Sequence, residues 1–428
     1  MDSKNTPSTP DDRRQSTEVV AEALAKVNLQ LSQCLDTLNS LGSKLPTSLR
    51  DHDILPDSEN LRLAAEVVDQ AHKIRVLVDA PVSILADHFL GYVRSKCLSA
   101  VVQQGVPDAL NKGPMNTATL ARSTGSREDR LGQVMKILCT EGIFTFDESS
   151  GHYSNNPASS LLSSTHWTQW HNWVSLQGGQ FYDIARGIPE SLKANVSRTA
   201  SQINYDTDED MFTFFRRQEW AGQLHRTLGG GAAAQLPGIL EDYPWHEVSG
   251  ELVMDLGGGG GDFIVGLLRR YPTMQGGLFD QPHIADLVRG SLAPGGKFHD
   301  LSDQLRSHDV VGGDFFKSVP SFTVYTMKWC LHDWNDSDAA QILRNIRKSI
   351  IERPVSRLIV LESILSDRYS ARLSRYADIN MMMTIGGLER GEQEWRDLAT
   401  SSGWQVVRIC DLRRAWVKAL ELRPLPNM

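Results

Sequence analysis

The chain has 428 residues and a formal net charge of −8, with 40% of its residues hydrophobic and 22% charged. A folded chain of this length is expected to divide into two or three domains, and the negative charge argues against nucleic-acid binding, which favours a basic surface. Five widely spaced cysteines without a Cys-x-x-Cys pair predict reduced thiols. No apolar run reaches the roughly 18 residues that cross a bilayer, so we expect a cytoplasmic protein with no membrane partner.

The first 17 residues are polar and lack the apolar core of a secretory signal, so they predict a disordered tail. From Val20 to Leu41 apolar residues recur in alternating steps of four and three, a pattern typical of an amphipathic or coiled-coil-like helix. Such a helix would pack on its own subunit or, as we favour, on a dimer partner. Residues 44–60 are polar, and a second long helix is predicted at 61–78.

Three short helices and a hairpin follow, in the order of a winged helix. The predicted elements are helices at 97–110, 119–123 and 130–139, and strands at 143–146 and around 152–153. Residues 115–150 carry four basic and five acidic residues, whereas a recognition helix that neutralises phosphates needs the opposite balance. We therefore predict that residues 18–165 form a helical, winged-helix-like dimerisation domain. A non-catalytic DNA-binding regulator is the alternative for this region.

Residues 166–236 are helical and rich in aromatic side chains, which indicates either core packing or an apolar pocket for a flat organic substrate. Beyond residue 251 strands and helices alternate, and this order predicts an α/β fold with a doubly wound, Rossmann-like sheet that binds its ligand at the carboxyl ends of the strands. The predicted strands are 252–255, 277–280, 298–301, 324–328, 358–363 and 405–410. The predicted helices are 263–271, 284–288, 337–351, 376–383 and 392–402.

A glycine turn follows the first of these strands. Asp255 ends the strand, and Gly257, Gly259 and Gly261 then stand at alternate positions, where glycine permits positive φ and close approach of a ligand. A nicotinamide-binding turn would need glycine in place of Asp262, because an acid there repels a pyrophosphate. No P-loop lysine follows the glycines either. An acid before the turn suits S-adenosylmethionine, which carries a sulfonium and an ammonium and no phosphate.

Two more acids follow the next strands. Asp280 lies 19 residues past Gly261, close to the spacing of a ribose-binding acid. Asp314 offers a carboxylate to the adenine amino group, and Phe315 offers an aromatic face to its ring. Three acids, each at the end of a successive strand, favour S-adenosylmethionine as the ligand.

From about residue 90 to 410 the chain resembles the class I S-adenosylmethionine-dependent O-methyltransferases of the plant caffeate and flavonoid type, as found in fungal secondary metabolism. The motifs that carry the resemblance are DLGGGGGD, LFDQPHI, GGDFF, MKWCLHDWNDSDA, LIVLESIL and DINMMMTIGGLERGEQEWRDLATSSGW. The resemblance implies that residues 166–428 form the substrate-lining helices and the methyltransferase domain. It assigns the cofactor to Gly257, Gly259, Gly261, Asp280, Asp314, Phe315 and Lys328.

The resemblance also implies a catalytic set and a reaction. His332 matches the general base, and Glu362 and Glu389 match the two acids that orient it. An imidazole can take the proton of a phenol or enol as its oxygen attacks the methyl group, so no metal is needed; a metal bound by the two glutamates is the weaker alternative. The implied protein is a homodimer that methylates a hydroxyl of a small aromatic or polyketide-like metabolite.

A second enzyme class stays open at this point. Some fungal proteins of this type are pericyclases, which retain S-adenosylmethionine and use its charge to steer dehydration or cycloaddition without methyl transfer. The presence of His332, Glu362 and Glu389 favours methylation, although Lys328 could donate to a carbonyl in the alternative.

Overall fold

The computed structural model describes residues 10–426, and these divide between Leu61 and Arg62 into two compact units. Of the predicted tail at 1–17, residues 1–9 lie outside the described part, and residues 10–17 belong to the first helix. Within the described range no helix combines the length and the apolarity needed to cross a membrane.

Long helices form the N-terminal part of the chain: α1 (Pro10–Ser40), α2 (Lys44–Leu49) and α3 (Ser58–Val78). The helix expected from Val20 onward is confirmed by α1. Its apolar seam is solvent-exposed in the single chain, including Leu24, Leu31 and Leu38. Its packing on a partner stays a prediction.

The predicted winged-helix order is present. It comprises α4 (Pro81–Phe89), α5 (Gly91–Gln103), α6 (Val106–Leu110), α7 (Thr117–Thr124), α8 (Glu128–Thr140), β1 (Phe144–Asp147) and β2 (His152–Asn155). Asn116 caps α7, because its side chain accepts a hydrogen bond from the N–H of Thr119 at 2.9 Å. The single helix expected at 97–110 is interrupted at Gly105, whose φ of +67° ends one helix and starts the next.

Seven helices connect this region to the sheet: α9 (Pro157–Ser160), α10 (Trp170–Gly178), α11 (Gln180–Ile184), α12 (Ile188–Ser191), α13 (Ala200–Tyr205), α14 (Met211–Arg217) and α15 (Ala221–Asp242). Helices α10 and α15 pack closely because α15 has glycine at positions where it contacts α10. A Cβ on Gly231 would lie 2.7 Å from the ring of Trp173. This close packing sets the position of the aromatic side chains on α10.

The C-terminal part is a seven-stranded sheet in the order β5-β4-β3-β6-β7-β9-β8. Its elements are β3 (Leu252–Leu256), α16 (Asp262–Arg270), β4 (Gln275–Asp280), α17 (Pro282–Leu292), β5 (Leu305–Gly312), β6 (Val324–Lys328), α18 (Asp336–Ser349), β7 (Arg357–Glu362), α19 (Leu373–Thr384), α20 (Glu392–Ser401), β8 (Trp404–Asp411) and β9 (Lys418–Pro424). The first five strands are parallel, and β9 is antiparallel to both neighbours. Strands β3 and β7, which lie inside the sheet, are buried along almost their whole length. The predicted α/β fold is confirmed.

One prediction about the sheet is wrong, and one strand was not predicted. The strand expected at 298–301 is a 3-10 turn at His299–Leu301, and the strand lies at Leu305–Gly312 instead. Phe298 and Leu301 are apolar because they pack into the core from this turn. Strand β9 was not predicted, because its charged residues, such as Glu421, resemble a surface segment. In the structure Glu421 is buried and bound by Tyr243, Arg357 and Arg423.

Candidate active site

A cavity of about 1170 Å³ opens at the carboxyl ends of β3, β6 and β7. The glycine turn after β3 forms one side, and side chains from α10, α11, α15 and α19 form the other. Pockets for one small organic ligand usually measure about 300–1,000 Å³. The cavity therefore has room for a nucleotide-sized ligand and a second molecule beside it.

The glycine turn is shaped for close approach of a ligand. Gly257, Gly259 and Gly261 have φ values of +68°, +54° and +82°, and residues 257–260 border the cavity. A Cβ on Gly258 would lie 2.8 Å from both Asp255 and Leu278. Backbone therefore faces the cavity where side chains would obstruct it.

Asp280 joins this turn to the next strand. Its Oδ2 accepts a hydrogen bond from the N–H of Gly259 at 2.8 Å, and its Oδ1 accepts one from the N–H of Gln281. The structure thus brings together the glycines and the acid that the sequence assigned to ribose. Asp314 and Phe315 follow β5 at the same edge of the sheet, and neither they nor Asp280 border the cavity. Asp314 accepts from the N–H of Phe316, and its adenine-binding role, like that of Phe315, stays a prediction.

Asp255 and Lys328 border the cavity below the turn. Asp255 accepts a hydrogen bond from the Thr326 hydroxyl at 2.9 Å, and burial raises the pKa of Asp255 to about 7. Burial also lowers the pKa of Lys328, whose ammonium lies 4.3 Å from the centre of the Trp329 ring. A cationic ligand beside Asp255 would favour its ionised form.

His332 stands in a 3-10 turn directly after β6, beside two buried glutamates. Its Nδ1 lies 2.8 Å from Oε1 of Glu389 and 3.5 Å from Oε2 of Glu362. The other oxygen of Glu362 accepts the N–H groups of Cys330 and Leu331, both at 2.8 Å. The three residues come from separate segments of the chain, and the structure places them in contact as the resemblance implied.

The charges around His332 decide its protonation. Burial by itself would lower the pKa of His332, but the neighbouring charge of Glu362 and the hydrogen bond to Glu389 raise this pKa to about 10. Asp333 contributes as well, since its Oδ1 lies 3.4 Å from Nε2 of His332. Burial raises the pKa of Asp333 to about 7 and also raises that of Glu362. The cluster therefore has a high affinity for a proton.

Four tryptophans form an aromatic wall opposite the glycine turn: Trp170, Trp173, Trp329 and Trp416. Their neighbouring ring centres are 5.0–6.4 Å apart. Both interpretations of residues 166–236 apply, because Trp170 and Trp173 border the cavity while Phe214, Phe215 and Trp220 pack in a helical core. From the methionine run, Met381 and Met383 border the cavity.

The sequence analysis missed Asp333, Trp329 and Trp416 as cavity residues. Trp329 and Asp333 stand within the MKWCLHDW motif, so their neighbours Lys328 and His332 carried the signal. Trp416 lies in a segment between β8 and β9 with no recognisable motif. Only the fold brings it to Trp170, at 5.0 Å between ring centres.

Comparison with known proteins identifies the class. Residues 167–405 match the model of the O-methyltransferase domain, and residues 86–165 match that of the O-methyltransferase dimerisation domain. The chain is 49% identical over 410 residues to O-methyltransferase aclM of Aspergillus oryzae, with 94% of each chain covered. It is 43% identical over 405 residues to O-methyltransferase verK of Clonostachys rogersoniana, with 94% of this chain and 99% of the relative covered.

Among solved structures, the calicheamicin-biosynthesis methyltransferase CalO1, in its SAH-bound form, has a similar fold, with a TM-score of 0.70 at 24% identity over 81% of this chain and 99% of that chain. Fold, cavity and matches together define a methyltransferase. The chain belongs to the O-methyltransferase family and is an S-adenosylmethionine-dependent O-methyltransferase, which confirms the resemblance seen in its motifs. The glycine turn fits this cofactor, since its positive φ values and the close contact at Gly258 hold bare backbone at the cavity.

Proposed function

We propose that the protein methylates a hydroxyl of a flat, largely apolar secondary metabolite, with His332 as the general base and without a metal ion. The observation that carries the proposal is the 2.8 Å hydrogen bond between His332 Nδ1 and Glu389, in a histidine that borders the same cavity as the glycine turn. A carboxylate on Nδ1 fixes the tautomer that leaves Nε2 free to accept a proton.

The chain's residues divide the work by position. Gly257, Gly259 and Gly261 would wrap the cofactor, Asp280 would accept its ribose hydroxyls, and Asp255 would offset its positive charge. When bound, S-adenosylmethionine supplies a methyl group on a sulfonium, which is a good leaving group. The protein must then orient the acceptor hydroxyl and remove its proton.

His332 can take that proton only in its neutral form. Glu362 and Glu389 raise the pKa of His332 to about 10, so the neutral imidazole is a strong base, but it is scarce at neutral pH. A cationic ligand in the cavity lowers the pKa of a neighbouring imidazolium. Occupation of the cofactor site would therefore prepare the base for the acceptor.

The chemistry of the cavity wall supports a flat acceptor. The tryptophan wall and the methionines of α19 offer faces for ring stacking and adaptable apolar contacts. Polar groups on this side are few, and Asn380 and Thr384 are among them. They would select the orientation of the acceptor rather than supply most of its binding energy.

The hydrogen bonds within the triad of His332, Glu362 and Glu389 support a reaction that needs no metal ion. His332, Glu362 and Glu389 have ligand atoms within 4.8 Å of one another, close enough for a metal ion. The 2.8 Å contact of His332 with Glu389 is that of a hydrogen bond. Full activity after chelation, with no gain from added Zn²⁺ or Mg²⁺, would support this reading.

The dimerisation match supports a homodimer. Apolar side chains on α4 and α5 are exposed in the single chain, among them Leu85, Phe89 and Tyr92. Burial of such a surface against a second copy removes it from water. Sedimentation equilibrium of the purified protein tests this directly, and a monomer at micromolar concentration would contradict it.

Incubation of the protein with methyl-labelled S-adenosylmethionine and a set of phenolic and enolic metabolites tests the reaction. We expect label in the product and one S-adenosylhomocysteine per methyl group transferred. An isomerised or dehydrated product without S-adenosylhomocysteine would instead support the pericyclase alternative.

A further inference from the structure

Side chains of helix α3 bind residues 368–370, a segment that leads into the wall of the cavity. Asp69 on α3 is largely buried and accepts three hydrogen bonds: from the N–H of Ser370 at 2.7 Å, from Nε of Arg368 at 2.7 Å and from the Ser370 hydroxyl at 3.1 Å. These bonds, led by the one from the Ser370 N–H, lower the pKa of Asp69 to about 2. The carboxylate is therefore ionised at any working pH.

His72 adds a second contact to the same segment. It lies three residues after Asp69, on the same face of α3, and stacks on the ring of Tyr369 with centres 3.7 Å apart and planes 3° from parallel. The guanidinium of Arg372 lies 4.6 Å from the centre of the same ring. Two independent contacts thus hold residues 368–370 against α3.

This segment continues directly into α19. Tyr376, Asn380 and Met381 of this helix border the cavity. Asp378 of the same helix accepts the N–H of Glu389 at 3.0 Å, and Glu389 in turn bonds to His332. A shift of α19 would therefore move both the cavity wall and the acid behind the base.

We infer that Asp69 and His72 are positioning residues, which hold the start of α19 and thereby fix the acceptor side of the active site. This inference rests on the proposed function in taking the cavity beside α19 as the acceptor site. Both residues precede the segments 86–165 and 167–405 that match the family domains. The contacts that hold residues 368–370 are thus made by a part of the chain outside those domains.

Hydrogen exchange of the full chain, measured peptide by peptide, tests these contacts without any acceptor. Asp69→Ala should raise exchange in residues 373–384 about tenfold, because bonds to a charged group are lost, and should leave β3, β6 and β7 unchanged. Glu66→Ala is the matched control: it removes an exposed carboxylate of the same helix, which pairs with Arg62. It should alter neither region.

In the enzyme assay Asp69→Ala should raise the acceptor KM about tenfold and leave the Kd for S-adenosylmethionine unchanged. Asp69→Asn retains an oxygen to accept the Ser370 N–H, so its acceptor KM should lie between those of the wild type and Asp69→Ala. If Asp69→Ala raises hydrogen exchange throughout the sheet, His72→Ala is the deciding variant, because it removes only the ring stack. A rise in exchange at 373–384 no larger than in the strands would overturn the inference. Failure of the proposed function would instead show as absent methyl transfer in the wild type, with the exchange result intact.

Discussion

The two halves of the active site are built in different ways. The half that we propose binds the cofactor consists mainly of backbone from one continuous turn, residues 257–261, with one acid from the neighbouring strand, Asp280. The acceptor half consists of side chains from α10, α11, α15, α19 and the β8–β9 connection. Backbone shape tolerates little change, whereas a wall of side chains can be altered one residue at a time. A family can therefore keep its cofactor while its acceptors diverge.

Removal of the base should have the largest effect, because His332 stands where the two halves meet. We expect His332→Ala to lower kcat by about 10²–10⁴-fold, the usual contribution of a general base, and to spare cofactor binding. Turnover and calorimetric titration with S-adenosylmethionine measure the two effects separately. His308→Ala, an exposed histidine of β5, should behave as wild type. Near wild-type methylation by His332→Ala would show that another group takes the proton.

A methyl group in the cofactor turn should come next. Gly258→Ala places a Cβ 2.8 Å from Asp255 and Leu278, and crowding of this kind costs about 1–3 kcal/mol. We therefore expect the Kd for S-adenosylmethionine to rise at least about fivefold. Gly290→Ala in α17, where a Cβ meets no atom within 4 Å, is the control. Equal affinities of both variants would contradict the close fit of the turn.

The acid behind the base should shift the pH profile. Activity requires neutral His332, so kcat should rise with pH through the pKa of this histidine, which Glu362 and Glu389 raise. Glu389→Gln removes one carboxylate while retaining an oxygen acceptor, so the rising limb should move to lower pH by about one unit. The pH dependence of kcat under cofactor saturation measures the shift. If the rising limb of kcat stays at the same pH, this limb reports the pKa of another group.

The smallest effect is expected in the acceptor wall. Trp416→Phe keeps an aromatic ring but shrinks the contact, so the acceptor KM should rise about threefold, within the energy of one aromatic pair. The Kd for S-adenosylmethionine should not change. Trp167→Phe, an exposed tryptophan outside the cavity, is the control. A larger effect on cofactor affinity than on acceptor KM would contradict the assignment of Trp416 to the acceptor half.

Sequence and structure agree best where a function depends on neighbouring residues. The glycine turn, Asp255 and Asp280 were predictable because strand, turn and acid follow one another in a fixed order. The contact of His332 with Glu362 and Glu389 was implied only by resemblance, since segments 30 and 57 residues away supply the acids. Trp416 could not be found at all, because only the folded chain brings the β8–β9 connection to the tryptophans of α10.

The position of β9 has a consequence for how the enzyme is made. Residues 418–424 insert between β7 and β8, and Lys418 lies opposite Glu362 in the strand register. During synthesis β7 leaves the ribosome more than fifty residues before this partner strand, and domains fold as units while chains elongate at about 5–20 residues per second. Until β9 arrives, β7 presents an unpaired edge of apolar backbone. The strand that ends in Glu362 therefore gains its second neighbour in one of the last steps of assembly.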